Sequence, residues 1–292
     1  MPLISVILIT YNREQYLPVM LDSLLKQTFT DFELILVNNG ATDSTASICQ
    51  AYAKKDARIK RLTIDKNIGA SFGRNTGLKA VTGEYIAFVD DDDRCEPEML
   101  AHLAELAKTE NADIAMCGSY NDFGDRLEPY FIHDERIVLN RLDGLRELLK
   151  RKLYNVAPPT KLFRRELWED LTYPDNVLVD DIHIVYKAFE RAQTVAVWNK
   201  PLYYFRKHAT NMTTFIHNTQ MTPALLDEYL AMYETRAQYL IERAPEIESD
   251  VDASMISFME NMCRNILDNN LSDCNEQLAF MKNHLTERGV VG

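Results

Sequence analysis

Five short, β-branched-rich runs alternate with helix-periodic stretches between residues 3 and 118, and the fourth runs straight into four consecutive aspartates. The runs are residues 3–9, 32–37 (FELILV), 59–64, 85–89 (YIAFV) and 113–118, each reading as a buried strand. Behind the first, Asn12 is a candidate helix cap, followed by Leu17, Met20, Leu21, Leu24 and Leu25 at helical spacing. A helix opening near Asp43 puts Ala46, Cys49, Tyr52 and Ala53 on one face. Residues 66–73 read as a glycine-containing loop and 74–80 as a short helix, and Pro97 suits the first turn of a helix reaching about Glu110. Alternation this regular predicts an α/β fold with a mainly parallel, mixed central sheet and helices on both faces. Ligands bind such sheets beyond the carboxyl ends of the strands. Three polar loops fall there: Thr10-Tyr11-Asn12, residues 38–43 and residues 90–93.

Asp90, Asp91, Asp92 and Asp93 carry the strongest chemical signal. Four carboxylates together repel one another, and a cation is the natural compensation. Oxygen ligands on a loop suit Mg²⁺ or Mn²⁺, which keep positions for water and phosphate oxygens. A solvated acidic turn capping the next helix is the alternative, and the position at a strand's carboxyl end favours the cation.

The rest of the chain changes character. Residues 120–215 are irregular, with short strands expected around Phe131, Val195 and Tyr203 and a helix over 181–191. From Thr222 the pattern is helical, with Leu225, Leu226, Tyr229, Leu230, Tyr233, Ala237 and Leu240 in one stripe and Met255, Phe258, Met259, Met262, Ile266 and Leu267 in another. These stripes suit packing on the preceding domain, with a homo-oligomer seam or a membrane-facing surface as alternatives.

A net charge of −12 argues against broad nucleic-acid or anionic-membrane binding. Cys49, Cys95, Cys117, Cys263 and Cys274 are scattered and never form a C-x-x-C pair, which fits reduced, buried thiols. The apolar start lacks a basic n-region and a cleavage site, and no apolar stretch approaches the ~20 residues of a membrane span. A cytoplasmic protein is expected, with peripheral contact to the inner membrane face left open.

Four segments in register, S-V-I-L-I-T-Y-N (5–12), N-N-G-A-T-D (38–43), R-N-T-G-L (74–78) and G-E-Y-I-A-F-V-D-D-D-D (83–93), resemble family 2 glycosyltransferases. The resemblance is close over about residues 3–110 and looser over 155–215. It implies the A-type glycosyltransferase fold and inverting transfer of a hexosyl or N-acetylhexosaminyl group from a nucleotide-diphosphate donor, of UDP type, onto a glycan, lipid-linked or protein-linked acceptor. A catalytic domain would span 1–215, with a nucleotide-sugar half (1–110) and an acceptor half (111–215), and a helical extension would follow over 216–292.

By that resemblance Thr10, Tyr11 and Asn12, with Asn38 and Asn39, would line the nucleotide pocket. The family commonly has an Asp at the Asn38-Asn39 pair, so base specificity is open. Asp90 and Asp92 match the D-x-D acids, Asp92 on the metal and Asp90 on ribose or sugar, with Asp91 between them. Arg74 and Arg206 would approach the diphosphate, and His208 would be a further ligand for Mn²⁺ or Mg²⁺. Y-P-D-N-V-L-V-D-D (173–181) resembles the family stretch that ends at the catalytic base, which makes Asp181 the base and puts Asp180 where the family has Glu. Lys161, in P-T-K-L-F-R-R-E-L, matches a family pattern on the acceptor side.

Other enzyme classes lack their motifs. A nucleotidyltransferase would show glycines after the first strand, and a P-loop NTPase would show G-x-x-x-x-G-K-[ST]. A non-catalytic nucleotide-sugar-binding partner subunit is the alternative from a different class, and retention of both Asp92 and Asp181 argues against it.

Overall fold

The computed structural model describes residues 2–208, 211 and 221–290. Strands β1 (Ile4–Thr10), β2 (Phe32–Asn39), β3 (Ile59–Ile64) and β4 (Tyr85–Asp90) are parallel and lie in the order β3-β2-β1-β4. The chain walks outward from β1 to β3 and then returns to set β4 on the other side of β1. That reversal leaves a crevice beyond the carboxyl ends of β1 and β4. β5 (Arg94–Cys95) follows, and β6 (Ile114–Asp122), β7 (Leu127–Tyr130), β8 (Arg136–Asn140), β9 (Lys161–Arg164) and β10 (Thr194–Arg206) complete the sheet. β9 joins β4 and β6 antiparallel to both, whereas β6 and β10 run parallel. The sheet is mixed, as the sequence predicts.

Helices cover both faces, and alternation along the strands assigns them. Val6, Leu8, Leu34 and Leu36 point toward α1 (Leu17–Leu25), α2 (Thr45–Lys55) and α4 (Met99–Thr109). Ile7, Ile35 and Val37 point the other way, into the core shared with α5 (Arg141–Lys150), α6 (Val185–Arg191), α7 (Pro223–Arg243), α8 (Glu248–Asp268) and α9 (Asn275–Glu287). α3 (Ala70–Lys79) lies on the same side, drawn close because Gly77 leaves no Cβ between it and β1. A Cβ there would stand 2.7 Å from Ile7 Cγ2.

The structure corrects several local expectations. Asn12 does not cap α1: its φ is +52° and its side chain reaches Thr42, while residues 13–16 turn before the helix starts behind Tyr16. α3 begins at Ala70, inside the expected loop, because the Asn67 side chain accepts the Gly69 N–H at 2.9 Å and Gly69 enters the helix at φ +110°. The strands expected around Val195 and Tyr203 are one strand, β10, whose register shifts between Val197 and Tyr203. Phe131 lies just beyond β7 in the left-handed region, and Leu267 is exposed rather than part of the inward face of α8. The remaining stripe residues pack within the chain, where Tyr233 stacks on Phe258 with ring centroids 4.2 Å apart. The expected boundary between residues 215 and 216 lies outside the described residues. All five cysteines are buried and free.

Glu33 on β2 anchors the amino end of this sheet. Its carboxylate accepts from Ser5 Oγ (2.5 Å), Thr82 N (2.9 Å) and Thr82 Oγ1 (2.7 Å), and it pairs with Lys60. Burial alone would raise its pKa, but Lys60 and the two hydroxyls outweigh burial and bring it down to about 2. A depressed carboxylate stabilises the fold fully above its ordinary pKa of 4.5 and loses that contribution as pH falls toward 2. Glu33→Ala is expected to cost about 2–4 kcal/mol at pH 7, because buried donors lose their acceptor. Urea melts at pH 7 and pH 3 check this: the gap between wild type and variant should narrow at the lower pH.

Candidate active site

At the carboxyl ends of β1 and β2 the side chains stitch neighbouring loops together. Asn12 Oδ1 accepts from Thr42 N at 2.8 Å, and Asn38 Oδ1 accepts from Ala41 N at 3.2 Å. Asn39 Nδ2 donates to Gly69 O at 3.0 Å and Asn67 Oδ1 at 3.3 Å, while its own Oδ1 is buried without a partner. Thr10, Asn38 and Asn39 are all buried, so the predicted pair shapes the loops more than it presents open surface. Tyr11 and Asn12 are the exposed members of the group. Gly40, at φ +76°, lets the β2 turn pass under residues 66–67: a Cβ would lie 2.3 Å from Asn67 N. Gly40→Ala is expected to destabilise by about 1–3 kcal/mol, since both strain and clash fall on this loop. Thermal melts measure the loss.

The acidic run divides into different environments. Asp93 faces inward, accepting from Tyr203 Oη and Arg206 N at 2.8 Å each, and so fastens the loop to β10. Arg206 adds a bond from Nε to Asp92 O at 2.8 Å. Asp92 is buried as well, and its Oδ2 lies 2.9 Å from His208 Nε2. Asp91 Oδ1 is 3.6 Å from Arg13 Nε, and Asp90 Oδ1 is 3.5 Å from Arg74 Nη2. Burial and the neighbouring carboxylates push Asp90 up to about 6, against the pull of Arg74, and Asp91 up to about 7. Concentrated negative charge with two carboxylates raised this far is the electrostatic condition a cation relieves.

Asp92 Oδ2 and His208 Nε2, hydrogen-bonded to each other at 2.9 Å, are of the atom types that could ligate such an ion. Among the described residues no third His, Cys, Asp or Glu joins them. The remaining positions would therefore go to water or phosphate oxygens, a ligand set typical of Mg²⁺ and acceptable to Mn²⁺.

Asp180 and Asp181 come from the opposite side. Arg74 pairs with Asp180 while also approaching Asp90, and its guanidinium lies 5.5 Å from the centroid of the Tyr173 ring. It thus joins the end of β4 to the loop that precedes Asp181. Asp181 has one oxygen, Oδ1, buried without a hydrogen bond. Burial first and Asp180 second raise its pKa, with Arg74, the Ile182 N–H and Lys161 opposing. Lys161 is only 1% exposed and donates to Ala157 O at 2.6 Å; burial lowers its pKa to about 7, against Cys117 and Asp181.

Several contributors were not singled out from sequence. Tyr16 stacks on His208 with centroids 4.8 Å apart and lies 5.4 Å from the Arg206 guanidinium. Asn211 accepts the His208 N–H at 2.6 Å. Arg13, Asn67 and Tyr203 complete the loops. Each is an ordinary polar or aromatic residue whose role exists only once distant loops meet; Arg13 and Tyr16 had a weak signal in their nearness to Thr10-Tyr11-Asn12.

The chain is similar in sequence and in fold to known proteins. The family described as Glycosyl transferase family 2 matches residues 5–172. The Bacillus subtilis protein described as uncharacterized glycosyltransferase EpsJ is 35% identical over 244 residues, spanning 79% of this chain and 68% of that protein. The Staphylococcus aureus poly(ribitol-phosphate) β-N-acetylglucosaminyltransferase TarS is 28% identical over 207 residues, 69% of this chain and 35% of TarS. The crystal structure of a TarS fragment in complex with UDP-GlcNAc superposes with a TM-score of 0.72 and 25% identity, covering 90% of this chain and 72% of that one. A Pyrobaculum calidifontis mannosyltransferase, PcManGT, shares the fold at 15% identity and a TM-score of 0.57, over 97% of this chain and 86% of its own. With the strand-end loops, the acidic run and these relatives in agreement, the chain belongs to glycosyl transferase family 2 and is a glycosyltransferase acting on nucleotide sugars.

Proposed function

We propose that this glycosyltransferase uses a UDP-sugar and transfers the sugar with inversion to a hydroxyl of a glycan, lipid-linked or protein-linked acceptor in surface polysaccharide or glycoconjugate synthesis. The observation that carries the reading is the Arg74 bridge: one guanidinium holds Asp90, at the end of β4, and Asp180, next to Asp181. It brings the donor-side acids and the candidate base to one crevice. The likeness to TarS, solved with UDP-GlcNAc, supports the choice of nucleotide.

Asp181 takes the proton of the acceptor hydroxyl as its oxygen bonds to the anomeric carbon from the face opposite the diphosphate. The bond from that carbon to the phosphate oxygen breaks, and the nucleotide diphosphate leaves. A hydroxyl is a very weak acid, so proton removal helps as the new bond forms, and a carboxylate with a raised pKa is better matched to that task. Asp92 and His208 would hold Mn²⁺ or Mg²⁺, which supplies positive charge for the leaving diphosphate. Asp93, Tyr203 and Arg206 keep the acidic loop aligned. Tyr11 would contact the nucleotide, on loops that Asn38 and Asn39 shape. Among the described residues no helix is long and apolar enough to cross a membrane.

The test is nucleotide release from a panel of UDP-, GDP- and TDP-sugars with Mn²⁺. Metal-dependent release from a UDP-sugar supports the assignment. Preference for a GDP- or TDP-sugar overturns the nucleotide part, and a retained anomeric configuration in the product overturns inversion.

A further inference from the structure

The loop that carries Asp181 is tied down from the helical extension. Residues 171–180 have no regular secondary structure, so their backbone N–H groups have no ladder to join. Glu228 on α7 supplies the acceptors. Its Oε1 accepts from Leu178 N at 3.0 Å and from Val179 N at 2.9 Å, and its Oε2 accepts from Leu178 N at 2.7 Å. His183 Nε2, in the short helical turn that Asp181 opens, stands 3.6 Å from Glu228 Oε1. The Leu178 side chain is 54% exposed, so apolar packing does little to hold the loop at that point. From the other side Arg74 grips Asp180. Hydrogen bonds from two successive amides to one carboxylate are charge-assisted and stronger than neutral ones. They act within three residues of the candidate base.

We propose that Glu228 is a positioning residue for sugar transfer: by capping the amides of Leu178 and Val179 it holds Asp181 where it takes the acceptor proton, which makes the helical extension a working part of the active site. The inference rests on the assignment of Asp181 as the base. Displacing a reacting group by about 1 Å can cost about 100-fold in rate. Because Oε1 alone accepts both amides, a glutamine in the same place can keep both bonds, whereas alanine keeps neither.

The experiment compares Glu228→Ala, Glu228→Gln and Asp181→Asn in the full chain. It reads kcat and KM for nucleotide release, donor affinity by calorimetry, and hydrogen exchange at the Leu178 and Val179 amides. Glu228→Ala should lose about 10- to 100-fold in kcat with KM and donor affinity changed less than about twofold, and both amides should lose protection. Glu228→Gln should stay within about threefold of wild type and keep the protection. Wild-type kcat in Glu228→Ala overturns the proposal, and so does equal loss in both Glu228 variants, because charge rather than amide capping would then be at work. Should Glu228→Ala not fold, Glu228→Met keeps the side-chain stem, removes both acceptors and replaces it in the comparison. Full turnover by Asp181→Asn brings down the base assignment and the positioning role together. An inactive Asp181→Asn beside a fully active Glu228→Ala overturns the positioning role alone.

Discussion

Asp181→Asn is expected to lower kcat for transfer by about 100- to 10,000-fold, the range a positioned general base contributes, with donor affinity unchanged. Asparagine keeps the size of the side chain and cannot accept the proton. The substitution also removes a carboxylate that burial and Asp180 hold at a raised pKa, so folding stability should not fall. The pH profile is a second readout. A base works deprotonated, so wild-type kcat/KM should decline on the acid side through a pKa above the ordinary aspartate value of 3.8, and the variant's residual rate should lack that limb. Steady-state rates across pH check both statements. Turnover near wild type in the pure variant would remove Asp181 from the base role.

Asp92→Ala is expected to abolish metal-dependent nucleotide release, a loss of about 1,000-fold or more, because the oxygen that pairs with His208 is gone. A binding readout separates this from misfolding. A ligand that binds only the folded state stabilises it by about 2.7 kcal/mol at 100 times its Kd, so Mn²⁺ should raise the melting temperature of the wild type and not of the variant. Without metal the variant should melt at or above the wild-type temperature, since removing one of four crowded carboxylates relieves repulsion on Asp90, Asp91 and Asp93. An unchanged Mn²⁺ shift in Asp92→Ala would move the metal away from Asp92 and His208.

The two substitutions test parts of the site that were unequally legible. Asp90–Asp93 stand together at one strand end, where the acidic run after an apolar strand makes them visible. Asp181 was visible only through resemblance, because two adjacent acids at a helix start are ordinary on electrostatic grounds alone. Arg74 was expected to face the diphosphate, and its partners Asp90 and Asp180 come from distant parts of the chain. Asn12 shows the same limit: its type and position read as a helix cap, yet a loop from β2 offered its amide a better partner.

The sequence by itself determined the α/β class, the parallel strands, the acidic strand end and the apolar faces of the helical extension. These follow from local hydrophobic period and from side-chain chemistry at successive positions, which need no knowledge of distant neighbours. Tertiary structure alone decided that Asp93 anchors the acidic run to β10 while Asp92 meets His208, that Arg74 joins Asp90 to Asp180, and that Glu228 reaches the loop before Asp181. Those roles depend on which buried donors and acceptors lack a partner nearby in sequence and must find one across the fold.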